Sequence, residues 1–93
     1  PLRVICLYLP NGNPVGTEKY PYKLAWMDRP HALARLRLER EEPFVMAGDY
    51  NVIPEPEDVH NPESWREDAL FRIETREKFR ALLALGLTDA IRA

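Results

Sequence analysis

Asp49 and Asn51 stand one residue apart directly after Gly48, and they follow the apolar run Phe44-Val45-Met46-Ala47. A carboxylate can accept a proton from water, and a carboxamide can donate hydrogen bonds to charge developing on an oxygen. If the chain stays extended for one residue more, the two side chains project the same way. The run itself is short, free of charge and preceded by Pro43. That pattern suits a strand covered on both faces, and open α/β sheets keep their chemistry at the ends of such strands. Gly48 allows a backbone path closed to other residues. The plain alternative is that Asp49 and Asn51 only cap turns, a common use of both residue types. A calcium loop opening at Asp49 is excluded, because its sixth position is Pro54 and its twelfth is His60, where glycine and a bidentate glutamate are required.

A second pair, Tyr8 and Asn11, lies at the mouth of the turn-forming cluster Pro10-Asn11-Gly12-Asn13-Pro14. A local hydrogen bond to the tyrosine hydroxyl and an Asn turn would account for either residue taken alone. The charge distribution adds a hint. The formal net charge of −2 hides a division: residues 1–40 hold seven basic and three acidic side chains, residues 41–70 nine acidic and one basic, and residues 71–93 five basic and three acidic. A weakly acidic total argues against binding DNA by bulk electrostatics. An acidic centre with basic flanks suits a divalent cation facing a phosphate, although ordinary solvated surface charge gives the same count. Cys6, His31 and His60 lack the paired short spacing of a zinc site.

These residues need elements to hold them. Arg3 to Leu9 is a β-branched apolar run and predicts a strand; a loop punctuated by Pro and Gly runs on to about Pro21. From about Tyr22 to Glu42 the residues favour helix, with Trp26, Leu33 and Leu36 at helical spacing. Pro30 falls inside it and predicts a kink or break, since it removes the bond to the Trp26 carbonyl at a cost of about 3 kcal/mol. Strand, helix, strand predicts a helix-covered sheet, with the pairing of the two strands left open. After Asn51 comes a Pro-rich acidic loop, then a helix start at Asn61-Pro62. A last amphipathic helix carries Phe79, Leu82 and Leu83 and is ended by Gly86. Cys6, alone and inside an apolar run, is expected to be a buried, inert thiol. Ninety-three residues with 45% apolar composition make one small domain. The chain shows no pattern of a targeting signal or membrane span; a soluble, cytoplasmic protein is expected.

Three motifs in order, Tyr8-Leu9-Pro10-Asn11-Gly12, Gly48-Asp49-Tyr50-Asn51 and Leu85-Gly86-Leu87-Thr88-Asp89-Ala90-Ile91-Arg92, resemble the middle of the exonuclease III / apurinic-apyrimidinic (AP) endonuclease family. That family belongs to the endonuclease/exonuclease/phosphatase superfamily. The resemblance covers almost the whole chain, and Asn61-Pro62-Glu63-Ser64-Trp65 resembles the bacterial exonuclease III branch. It implies an α/β fold, a fragment of a four-layered α/β sandwich of the DNase I-like type, with residues 1–93 as a partial domain. It implies a nuclease dependent on Mg2+ (or Mn2+), acting on double-stranded DNA at abasic sites or 3′ ends. In that family Asp49 matches the aspartate that positions or deprotonates the attacking water. Asn51 matches an asparagine that holds the transition state and contacts a second metal position, which makes Asp49 and Asn51 the implied metal-side residues. Tyr8 matches the tyrosine that reaches the scissile phosphate, and Asn11 the asparagine that hydrogen-bonds it.

The family's metal-binding glutamate would precede Pro1, its catalytic Asp-His pair would lie beyond Ala93, and no Asp-His dipeptide occurs here. The chain alone is therefore expected to lack nuclease activity and to self-associate through unpartnered apolar faces and strand edges. A superfamily sibling acting on phospholipid or inositol phosphate would share Asp49 and Asn51. A non-catalytic binding module is the other alternative.

Overall fold

The computed structural model describes residues 2–89. Strand β1 (Arg3–Tyr8) leads through the Pro/Gly loop into helix α1 (Lys19–Glu39), which returns the chain to strand β2 (Phe44–Asp49). A single 3-10 turn at Pro56–Asp58, the one-turn helix α2 (Pro62–Trp65) and helix α3 (Ile73–Ala84) complete the order. The two strands are parallel neighbours, paired from Arg3↔Phe44 to Tyr8↔Asp49. This settles the pairing left open by the sequence, and the crossover helix is the connection a parallel pair requires.

Helix α1 runs unbroken through Pro30, against the expectation of a break. Its buried positions are Tyr20, Lys23, Met27, Pro30 and Ala34, a repeat of three and four residues that makes one stripe. Pro30 lies on that stripe, so packing offsets the missing backbone bond. Leu36, expected on the buried face, is instead 40% exposed. Helix α3 packs against α1. Lys78 Nζ reaches Asp28 Oδ1 at 2.7 Å, and Tyr20 and Thr75 share a buried hydroxyl–hydroxyl hydrogen bond of 3.0 Å. The core cluster of Leu9, Met27 and Phe79, with Leu24, Trp26, Tyr50, Val52 and Leu83 around it, sits beneath the C-terminal ends of the strands. Full burial of side chains such as Leu9 and Phe79 contributes about 1.5–3 kcal/mol each.

The sheet is not covered on both faces. Ile5, Leu7, Phe44 and Met46 are half-buried, whereas Val4, Cys6, Tyr8, Val45, Ala47 and Asp49 are exposed. Paired residues of a parallel ladder share a face, so the exposed set is one continuous surface. Cys6 belongs to it, and the expected buried thiol is corrected to an exposed one. The run of apolar residues reads as doubly covered, but α1 and α3 supply cover for one side. No helix among the described residues is long and apolar enough to cross a membrane.

Candidate active site

The register sets Tyr8 beside Asp49 at the last rung of the parallel pair, on the exposed face. Leu9 continues the ladder by donating its N–H to the Asp49 carbonyl at 2.8 Å. Gly48 makes this possible. Its φ is +144°, and a Cβ there would stand 1.8 Å from the Leu7 carbonyl oxygen across the rung; no side chain fits.

Extension ends at Asp49. Tyr50 turns inward, donates its hydroxyl to the Met46 carbonyl at 2.7 Å, and meets Phe79 edge to face with ring centroids 5.6 Å apart. Burial, then the charge of Asp89, raises the Tyr50 pKa, which keeps the phenol a donor. Asn51 has φ +48°, in the left-handed region that Asn tolerates better than most residues. Asp49 and Asn51 therefore do not project by strand alternation, as the sequence suggested, but are joined by a turn: the Asn51 N–H donates to Asp49 Oδ1 at 2.9 Å. The Asn51 carboxamide then donates back to the Leu9 carbonyl at 2.5 Å. Asp49 does serve as a turn cap, and the same bond fixes the orientation of its carboxylate. Asp49 is exposed, and a carboxylate with one oxygen in a hydrogen bond keeps further acceptor capacity.

Asn11 joins this group through its backbone, its carbonyl and that of Asn51 both accepting from Lys23 Nζ. Its side chain is exposed and its Oδ1 accepts the Asn13 N–H at 3.0 Å, the local turn that its residue type suggested. Asn13 is the better-anchored neighbour, accepting the Ala69 N–H at 2.9 Å and donating to Asp68 Oδ1 at 3.1 Å.

The residue that sequence reasoning missed is Lys23. Fully buried, its Nζ donates to the carbonyls of Asn11 at 3.1 Å, Asn51 at 2.5 Å and Ala69 at 3.3 Å. Burial lowers its pKa to about 8, against the smaller opposing pull of the Asp68 and Asp49 carboxylates. The available signal was positional: Lys23 falls in the stripe 20, 23, 27, 30, 34 whose other members are apolar or aromatic.

As metal ligands, Asp49 and Asn51 are oxygen donors of the kind Mg2+ takes. They fit in kind and fall short in number. Among the described residues no three His, Cys, Asp or Glu side chains gather at one point.

Comparison with known proteins places this geometry. Residues 1–90 match the family model described as Endonuclease/Exonuclease/phosphatase family, and the chain belongs to that family. Within it, the relatives are DNA nucleases. The chain is 32% identical to an exodeoxyribonuclease of Bacillus subtilis, covering 96% of this chain and 34% of that protein. It is 34% identical to the DNA repair nuclease APEX1 of Danio rerio, covering 96% of this chain and 28% of that protein. A solved AP endonuclease from Archaeoglobus fulgidus superposes with a TM-score of 0.90 at 35% identity, over 98% of this chain and 35% of that one. The fold is accordingly part of the DNase I-like α/β sandwich, and the resemblance to the exonuclease III / AP endonuclease family is borne out. The chain spans about a third of the length of these relatives.

Proposed function

We propose that the protein containing this chain is a metal-dependent DNA repair phosphodiesterase of the exonuclease III / AP endonuclease type, cleaving double-stranded DNA at abasic sites or trimming 3′ ends. The observation that carries the proposal is the rung Tyr8↔Asp49, with Asn51 tied back to Asp49 by its N–H. It brings a phenol, a carboxylate and a carboxamide to one strand end in a member of a nuclease-containing family. In this reading Asp49 orients the attacking water and takes its proton as the water oxygen bonds to phosphorus, the bond from phosphorus to the 3′ oxygen breaks, and that oxygen leaves and is protonated by solvent. Asn51 and Tyr8 present polar groups toward the phosphoryl oxygens as charge develops on them, and Asn11 holds a phosphate oxygen at the loop. Asp49 and Asn51 would hold Mg2+ (or Mn2+) on the protein side, and the ion when bound would supply charge neutralisation at the phosphate.

The test is single-turnover incision of an abasic-site duplex by the full-length protein, with DNA affinity measured alongside. Asp49→Asn retains the turn cap, because asparagine caps nearly as well, and removes the base. Turnover is expected to fall by about 10²–10⁴-fold with binding kept. A rate within about threefold of wild type, well under the smallest general-base effect, would return Asp49 to a capping role.

A further inference from the structure

The ammonium group of Lys23 has three N–H donors, and three carbonyls from three separate segments surround it: Asn11 in the loop after β1, Asn51 after β2, and Ala69 before α3. Donors and acceptors match one to one. No solvent reaches the side chain; without it the Asn11 and Asn51 carbonyls would each lose this donor, whereas the Ala69 carbonyl would keep the Thr75 hydroxyl at 2.7 Å. The loop also lies directly on the lysine stem. A Cβ at Gly12, where φ is +86°, would meet Lys23 Cδ at 2.6 Å and the Ala69 side chain at 3.2 Å. The loop and the Ala69 segment have a second connection through Asn13, to the Ala69 N–H and to Asp68. Asn51 reaches β1 through its bond to the Leu9 carbonyl, and its own carbonyl is held by Lys23.

We propose that Lys23 is a positioning residue: by holding the backbone carbonyls of Asn11 and Asn51 at one point of α1, it sets where those two side chains stand relative to Asp49. It touches no reacting atom and acts through the two asparagines. The proposal rests on the reading of the strand end as the active site. It goes beyond that reading by assigning the relative placement of two chain segments to a residue on the buried stripe of α1.

Lys23→Met keeps the stem and removes all three donors. In the full-length protein it is expected to lower kcat on an abasic-site duplex by about 10- to 100-fold, the scale of a misplaced catalytic group, with KM changed less than about threefold. In an Asn11→Ala, Asn51→Ala background the same substitution should cost less than about threefold, because both groups it positions are gone. Amide hydrogen exchange on the same protein, without metal or DNA, gives a readout independent of activity. Lys23→Met should speed exchange in residues 10–13 and 50–53 by about tenfold or more and leave the core of α3 unchanged. Fully additive rate losses, a kcat within about threefold of wild type, or exchange that rises uniformly or not at all would each overturn the proposal. If the wild-type protein makes no incision, the proposed activity fails and the exchange result alone decides whether Lys23 holds the two segments.

Discussion

The two ends of the exposed sheet face differ in kind. At the C-terminal end, Tyr8, Asp49 and Asn51 are underlain by the Leu9–Met27–Phe79 core and by a polar node on Lys23. Toward the other end, Val4, Cys6, Val45 and Ala47 form an apolar surface left exposed among the described residues, Val4 being 62% and Val45 45% exposed. The comparison teaches that the chain carries the scaffold of its strand-end groups within itself, whereas the hydrophobic layering of its sheet is one-sided. Position of the chemistry and completion of the core are separate problems here.

The largest effect expected from this contrast is all or none. The ninety-three residues alone, incubated with an abasic-site duplex and Mg2+, should give no incision, because Asp49 and Asn51 cannot by themselves hold an ion that dehydrates reluctantly; metal-dependent cleavage surviving rigorous purification would break the comparison. Next is Asn51→Ala in the full-length protein, for which single-turnover cleavage should slow by about 10²–10³-fold if the carboxamide acts like one oxyanion-hole donor. Gly48→Ala tests the rung itself. The clash with the Leu7 carbonyl and the strained φ should cost about 3 kcal/mol or more, read as a fall in the denaturant midpoint; a change under about 0.5 kcal/mol, the range of neutral surface substitutions, would refute the close approach.

The apolar end gives the smaller effects. Light scattering behind size exclusion should show the isolated chain associating with rising concentration, and Val45→Lys should shift it toward monomer. A monodisperse wild-type chain at every concentration would sink the claim that this face seeks cover. The smallest effect concerns Glu42, whose carboxylate accepts from Arg3 Nε at 3.0 Å and Arg37 at 3.2 Å at the base of the strands. The Arg3 hydrogen bond, with the lesser contribution of Arg37, lowers its pKa below the ordinary value of 4.5. A depressed folded-state pKa gives stability that is present above pH 4.5 and lost as pH falls through the lower folded value. The stability difference between wild type and Glu42→Gln should shrink in that window, and a difference independent of pH would remove the ion pair from the account.

Much of this was legible from residues alone. Phe44 to Asn51 announced a strand ending in polar groups, and Phe79, Leu82 and Gly86 marked the last helix and its stop. What escaped reading depended on partners far away in sequence. Lysine is seldom fully buried, and Lys23 is buried because three carbonyls from positions 11, 51 and 69 converge on it; no local pattern encodes that convergence. Of the kink or break expected at Pro30, the break does not occur for the same reason, since its packing in the stripe outweighs the bond it lacks. The outward set of Val45 and Cys6 was misread because an apolar run cannot say which of its faces this stretch of chain will cover.

The rung Tyr8↔Asp49 also bears on the order of folding. Its two members come from strands about forty residues apart in the chain, and contacts of such separation form only after the entropy of closing the intervening loop has been met. Helix α1 can acquire its backbone bonds locally, on a far shorter timescale than strand pairing. During refolding, pulse-labelled amides of α1 should therefore gain protection before the Leu9 amide, which is bonded to the Asp49 carbonyl, so that the strand-end group of Tyr8 and Asp49 is among the last parts of this chain to exist. Simultaneous protection of both would show instead that the crossover and the strand pair form in one step.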